Sequence, residues 1–183
     1  RLDQASGLTI QNAGTAVSAK LLNAENTAVI CFTRGTAIAT PTGEAAVETL
    51  RPGDLVLTKD HGPQALRWIG SVRVAAEGAL APILIAPGTL GNRRSLRVSP
   101  QHRMLLGGWR AELLFEQPEV LAAAQMLLND GSIRRDPGGM VEYFHLLFDR
   151  HEIVFAEGAA TESFHPGEQA GGRGFRQTDC CPG

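Results

Sequence analysis

The chain of 183 residues has only three cysteines, and two of them, Cys180 and Cys181, stand side by side at its end. Three cysteines cannot build a disulfide framework, so the end pair reads as tail residues and Cys31 is left as the single thiol of the first 179 residues. Charge of one sign is also missing. With 17 basic and 19 acidic residues and no long run of either, nothing steers the chain to nucleic acid or to a membrane surface. No apolar run has membrane-spanning length, and no signal peptide opens the sequence. Because the first residue is Arg1 rather than Met, we expect a piece of a longer protein, with any export signal upstream. Zinc-type spacing is absent too: His145 and His151 are six apart with no cysteine nearby, so no metal and no cofactor are expected.

What is present is enough apolar residue, 43%, for a packed core. The most informative stretch is Val29-Ile30-Cys31-Phe32-Thr33-Arg34-Gly35-Thr36, a thiol between a strand-like run and a glycine turn. A lone cysteine beside Val, Ile and Phe is ordinarily a small core hydrophobe. A partly ionised thiol is also a good nucleophile toward a carbonyl, and the nearest one belongs to the Ile30-Cys31 peptide bond itself. About 70 residues on, Arg97-Val98-Ser99-Pro100-Gln101-His102 places a hydroxyl and an imidazole three apart. An imidazole titrates near neutrality and can carry protons to and from a sulfur or a leaving amine.

Between these blocks, short apolar runs alternate with Pro-Thr-Gly, Pro-Gly-Asp and Asp-His-Gly-Pro turns, a pattern that predicts hairpins. Expected strands are Ala37 to Thr40, Glu44 to Leu50, Leu55 to Thr58, a pair over Gln64 to Val74 broken at Gly70, Pro82 to Ile85 and Ser95 to Val98. His61 reads as a turn residue. One helix is predicted over Pro118 to Asn129, with Pro at its start, an acidic first turn and an Asn-Asp-Gly stop. Met126 within it reads as core rather than as part of a cofactor box. Met140 to Gly158 reads as a hairpin turning at Asp149 to Glu152, its first strand showing Tyr143, His145 and Leu147 on one face and Phe144, Leu146 and Phe148 on the other. Before Cys31, Leu8 to Ile10 and Leu21-Leu22 are short strand candidates. Beyond Gly167 the glycine-rich end reads as a flexible tail.

Three blocks together resemble a known family: Cys31-Phe32-Thr33-x-Gly35-Thr36; then Gly43-Glu44-x-x-Val47-Glu48-x-Leu50-x-x-Gly53-Asp54-x-Val56-Leu57-Thr58; then Ser99-x-x-His102. They look like the Hint domain shared by Hedgehog autoprocessing domains and inteins, and within it like the bacterial intein-like, Hedgehog-type group found at the ends of secreted or surface proteins. The resemblance implies an all-β fold, a horseshoe of hairpins with one short helix. It also implies three segments: 1–28 as the end of an upstream part to be cut away, 29–167 as the self-processing domain, and 168–183 as the tail. An extracellular or cell-surface setting within a larger bacterial protein is the matching expectation. In the closing block of that family an acidic residue often stands where this chain has His145.

The activity so implied is intramolecular, cysteine-dependent and single-turnover. Cys31 would attack the carbonyl of Ile30 and turn the amide into a thioester, with His102 donating to the departing nitrogen, Ser99 orienting it or hydrogen-bonding the carbonyl of residue 30, and His145 relaying protons. The N-terminal flank is the substrate, and water, a thiol or an amine is the acceptor; we expect a monomer. Conventional splicing is disfavoured because the last Asn is Asn129, well before the closing block. Sterol transfer is disfavoured because no Asp stands in Ile69 to Val72. Two other readings stay open: a non-catalytic secreted β-domain for adhesion or interaction, and a cysteine hydrolase acting on other molecules. His151 and His165 are weaker candidates for the site.

Overall fold

A computed structural model describes residues 30–108, 111–113 and 116–164. Within them lie fourteen strands: β1 (Phe32–Thr33), β2 (Ala37–Thr40), β3 (Gly43–Ala46), β4 (Leu55–Thr58), β5 (Gly62–Ala65), β6 (Trp68–Ala75), β7 (Ile83–Ile85), β8 (Leu96–Val98), β9 (Arg103–Gly107), β10 (Glu119–Ala123), β11 (Ile133–Arg135), β12 (Met140–Leu147), β13 (Ile153–Ala156) and β14 (Ala159–Glu162). The fold is all-β, with helical residues at 111–113 and 3-10 turns at Val47–Thr49, Gly78–Leu80 and Ala124–Leu127. The strand candidates before Cys31, and His165, lie outside the described residues.

Two antiparallel sheets form. The first has the order β11-β7-β8-β1-β12-β6; the second has β10-β9-β14-β13-β2-β3, with β4 on β13 and β5 on β4. Although β1 is two residues long, it is central to its sheet, because buried Phe32 pairs with Val98 of β8 on one side and Phe144 of β12 on the other. The predicted alternation of β12 holds. Phe144, Leu146 and Phe148 enter the main core with Ile83, Ile85, Leu96 and Val98 of the first sheet and Ile38, Val56, Met104 and Val154 of the second. Each such side chain contributes about 1.5–3 kcal/mol when fully buried. On the other face, Val141 and Tyr143 join Ala76 and Cys31 in a separate small cluster. The strand period therefore puts the thiol on the face away from the main core.

Met126, expected in the core, is exposed, the strand expected over Glu44 to Leu50 ends at Ala46 before a 3-10 turn, and three larger expectations are also corrected. The segment predicted as a helix over Pro118 to Asn129 is strand β10 followed by a 3-10 turn. Helix preference among Leu, Ala and Glu is worth under about 0.7 kcal/mol per residue. Here Glu119 through Ala123 pair with Gly107 through Arg103, and the backbone continues onto the carbonyls of His102 and Pro100. Secondly, β12 and β13 do not form a hairpin, since they belong to different sheets. The segment between them crosses over, tied at Glu152 by its N–H to Ser163 Oγ. The true hairpin is β13–β14, turning at Glu157 and Gly158, whose φ values of 51° and 90° suit a two-residue primed turn. Thirdly, the break in the 64–74 region falls at Leu66 and Arg67, while Gly70 lies inside β6. A Cβ at Gly70 would stand 2.1 Å from the Trp68 indole, which lies over it.

Candidate active site

Strand register assembles the site. Carrying the Phe32–Phe144 and Phe32–Val98 pairings back by one residue sets Cys31 between His145 and Ser99, and His145 in turn pairs with Gly70. The row Ser99, Cys31, His145, Gly70 thus crosses four adjacent strand lines. Glycine at its end leaves room for the Trp68 ring beside it.

Hydrogen bonds hold both sides of the Ile30-Cys31 peptide. The N–H of Cys31 donates to Ser99 Oγ over 3.0 Å, and the carbonyl of Ile30 accepts from His145 Nδ1 over 3.0 Å. Cys31 Sγ is 3.5 Å from both Nδ1 and Nε2 of the same imidazole. A carbonyl can only accept, so Nδ1 of His145 carries the proton and Nε2 offers its lone pair. His102 takes a different position from the one expected. Its Nδ1 donates to the carbonyl of Cys31 over 3.1 Å, and its Nε2 is hydrogen-bonded to Thr161 Oγ1. The backbone knots this corner, with Ser99 N–H on Cys31 O and His102 N–H on Ser99 O, both at 3.0 Å. Phe32 packs edge-on to His102 and Phe164 edge-on to His145.

All four expected site residues are therefore together, and all are buried: Cys31 3%, Ser99 5%, His102 0% and His145 4% exposed. Burial pushes the Cys31 thiol up, with a smaller opposing effect from Ser99. It pulls His102 down to about 3 and His145 down to about 4, each partly offset by its carbonyl partner. At neutral pH the site holds a protonated thiol and two uncharged imidazoles.

The other histidines go elsewhere. His61 Nδ1 donates to buried Glu152 over 2.8 Å, and His151 Nε2 donates to fully buried Glu162 over 3.1 Å. Glu162 also accepts from the N–H and Nε of Arg103, clamping β9 to β14. Sequence reading missed Thr161, Phe164 and the Trp68–Gly70 pair, since each acts only through strand register. Among the described residues no group of three or more His, Cys, Asp or Glu is arranged to hold a metal ion.

The sequence matches the family model of the Hint domain over residues 30–168, and the chain belongs to that family. The fold is similar to a bacterial intein-like domain from Clostridium thermocellum, at 13% identity and TM-score 0.52, covering 73% of this chain and 98% of that one. It is likewise similar to a DnaB intein from Synechocystis sp. PCC 6803, at 10% identity and TM-score 0.50, covering 75% of this chain and all, 100%, of that one. No curated protein matches the sequence.

Proposed function

We propose that this Hint domain cuts its own chain before Cys31 through a thioester. The observation that carries the reading is the double contact of His145, one ring touching both the sulfur and the carbonyl it must attack. A buried thiol has its own chain as its accessible electrophile, which favours self-processing over action on other molecules.

In this reading Cys31 Sγ attacks the carbonyl carbon of Ile30 as its proton passes to His145 Nε2. The Nδ1–H of His145 steadies the oxygen as it gains charge. The C–N bond then breaks, and the nitrogen of Cys31 leaves as an amine after gaining one proton. Ser99 Oγ is already on that nitrogen. His102 is the acid for it, resting on the carbonyl of the same residue and crossing to the nitrogen as the peptide pyramidalises; catalytic contacts of this kind often close only in the transition state. Fixing the reactants in one fold supplies proximity worth roughly 7–11 kcal/mol. Water, a thiol or an amine then takes the acyl group, releasing the flank, and the Hedgehog-type grouping and surface setting belong to the same proposal. The test is the intact mass of fresh protein before and after incubation with a small thiol. Cleavage between Ile30 and Cys31 that disappears in Cys31→Ala supports the reading, and an unchanged wild-type mass overturns it.

A further inference from the structure

Thr161 is fully buried on β14, opposite Met104 of β9, and its hydroxyl touches two things: His102 Nε2 and the carbonyl of Arg103, the latter over 3.1 Å. Together with His102 Nδ1 on the Cys31 carbonyl, these make one chain of three contacts: Cys31 O to Nδ1, Nε2 to Oγ1, and Oγ1 to Arg103 O. Each contact needs one hydrogen. A neutral imidazole brings one and the hydroxyl brings one, so the resting chain is a hydrogen short.

The two carbonyls at its ends can only accept, so with one ring proton the hydroxyl can serve only one of its two partners at a time. With Nδ1–H on Cys31 O, the Thr161 hydroxyl donates to Nε2 rather than to Arg103 O. If His102 gains a second proton, Nε2–H donates to Oγ1 and the hydroxyl turns to Arg103 O. All three contacts are then satisfied. A valine would offer neither the donor nor the acceptor, whereas a serine offers both.

We propose that Thr161 is a positioning residue for the acyl shift, a hydroxyl that turns between two partners and so lets buried His102 hold either one proton or two. The inference rests on the self-processing reading for its purpose, because His102, as the acid for the departing nitrogen, gives a proton far more readily from a doubly protonated ring than from a neutral one. The protons balance through water: one leaves the thiol by way of His145, and one enters His102 and ends on the nitrogen. The shift itself forms the S–C bond and breaks the C–N bond with no net gain or loss. Other groups face His102 from its surroundings: Cys31 before β1, His145 on β12, Arg103 next to it on β9, and Glu162 next to Thr161 on β14. Arg103 is paired with Glu162 over 2.8 Å.

The experiment uses the full chain carrying Cys31→Ala, which cannot process, so its outcome is independent of whether the protein cleaves. With ¹⁵N-labelled histidine, the ring nitrogens of His102 are followed by NMR against pH in Thr161, T161S and T161V proteins, with T161A as a second hydroxyl-free variant should valine not fold. We expect Thr and Ser to give a single Nδ1–H tautomer, and Val and Ala to move the His102 titration to lower pH by one unit or more. In the Cys31 protein the same two variants should cleave 10- to 100-fold more slowly at neutral pH, with the serine restoring the rate. Identical His102 titrations in all variants, or a serine no better than valine, overturns the proposal. Normal titration shifts in a wild-type chain that never cleaves would sink the self-processing reading while leaving the hydroxyl's role standing.

Discussion

The ring of His145 donates its Nδ1–H to the carbonyl oxygen of Ile30 over 3.0 Å and lies 3.5 Å from Cys31 Sγ. One side chain thus touches both the sulfur and the carbonyl group that the proposed acyl shift would join. His145→Ala should lower the rate of thiol-induced cleavage by about 10²- to 10⁴-fold, the usual worth of a positioned acid or base. Single-turnover rates and melting temperatures measured side by side decide the matter. A loss of stability with no loss of rate would make His145 a core histidine.

His102→Ala should also slow cleavage by about 10²-fold or more, while His61→Ala leaves the rate unchanged because His61 is engaged with Glu152 away from the thiol. The same mass-spectrometric time course compares the two. A His102→Ala protein cleaving at the wild-type rate would remove that residue from the chemistry even if Cys31 proved essential.

Acid should destabilise the fold through the two buried imidazoles. Both have folded pKa values below the ordinary 6.5, at about 3 and about 4, so below pH 6.5 the unfolded chain binds protons that the folded chain refuses. Their contribution is complete above about 6.5 and is lost as pH falls toward 4 and 3, at up to about 1.4 kcal/mol per pH unit for each histidine. Denaturant midpoints across that range should fall with pH, and the slope should flatten in His102→Phe. Equal slopes in the two proteins would contradict the assigned burial.

Asn92 gives a prediction free of any functional reading. It is 1% exposed, its Nδ2 donates to the carbonyls of Ala86 and Arg94, and its Oδ1 accepts from the N–H of Leu90, shaping the loop between β7 and β8. Asn92→Ala should cost about 1–3 kcal/mol by leaving these buried groups unpaired. Chemical denaturation measures it.

Much of this was legible in the chain. The Cys31 and Ser99-x-x-His102 blocks stood out by residue type and gained their meaning from the resemblance to the Hint family, while the two faces of β12 follow from the strand period, which acts over a few neighbours. Pro118 to Asn129 misled because Ala, Leu and Met favour helix only weakly, and pairing with β9 is a long-range fact. The expected hairpin at Asp149 failed for a similar reason: an apolar run does not reveal which sheet it joins. Within the site, the resemblance to the Hint family set His102 near Cys31 but not onto a particular carbonyl. Thr161 left no local trace, as its meaning comes wholly from the β9–β14 register.

The central claim is that the acyl group of Ile30 passes to Cys31 sulfur, and hydroxylamine reads it directly. A thioester is cut by hydroxylamine far faster than an amide, leaving the flank with a hydroxamate at its new end. Mass analysis of the released fragment should find that hydroxamate on Ile30 in the wild-type protein and nothing in Cys31→Ala. A wild-type chain that stays intact, or that breaks at another bond, would contradict the account.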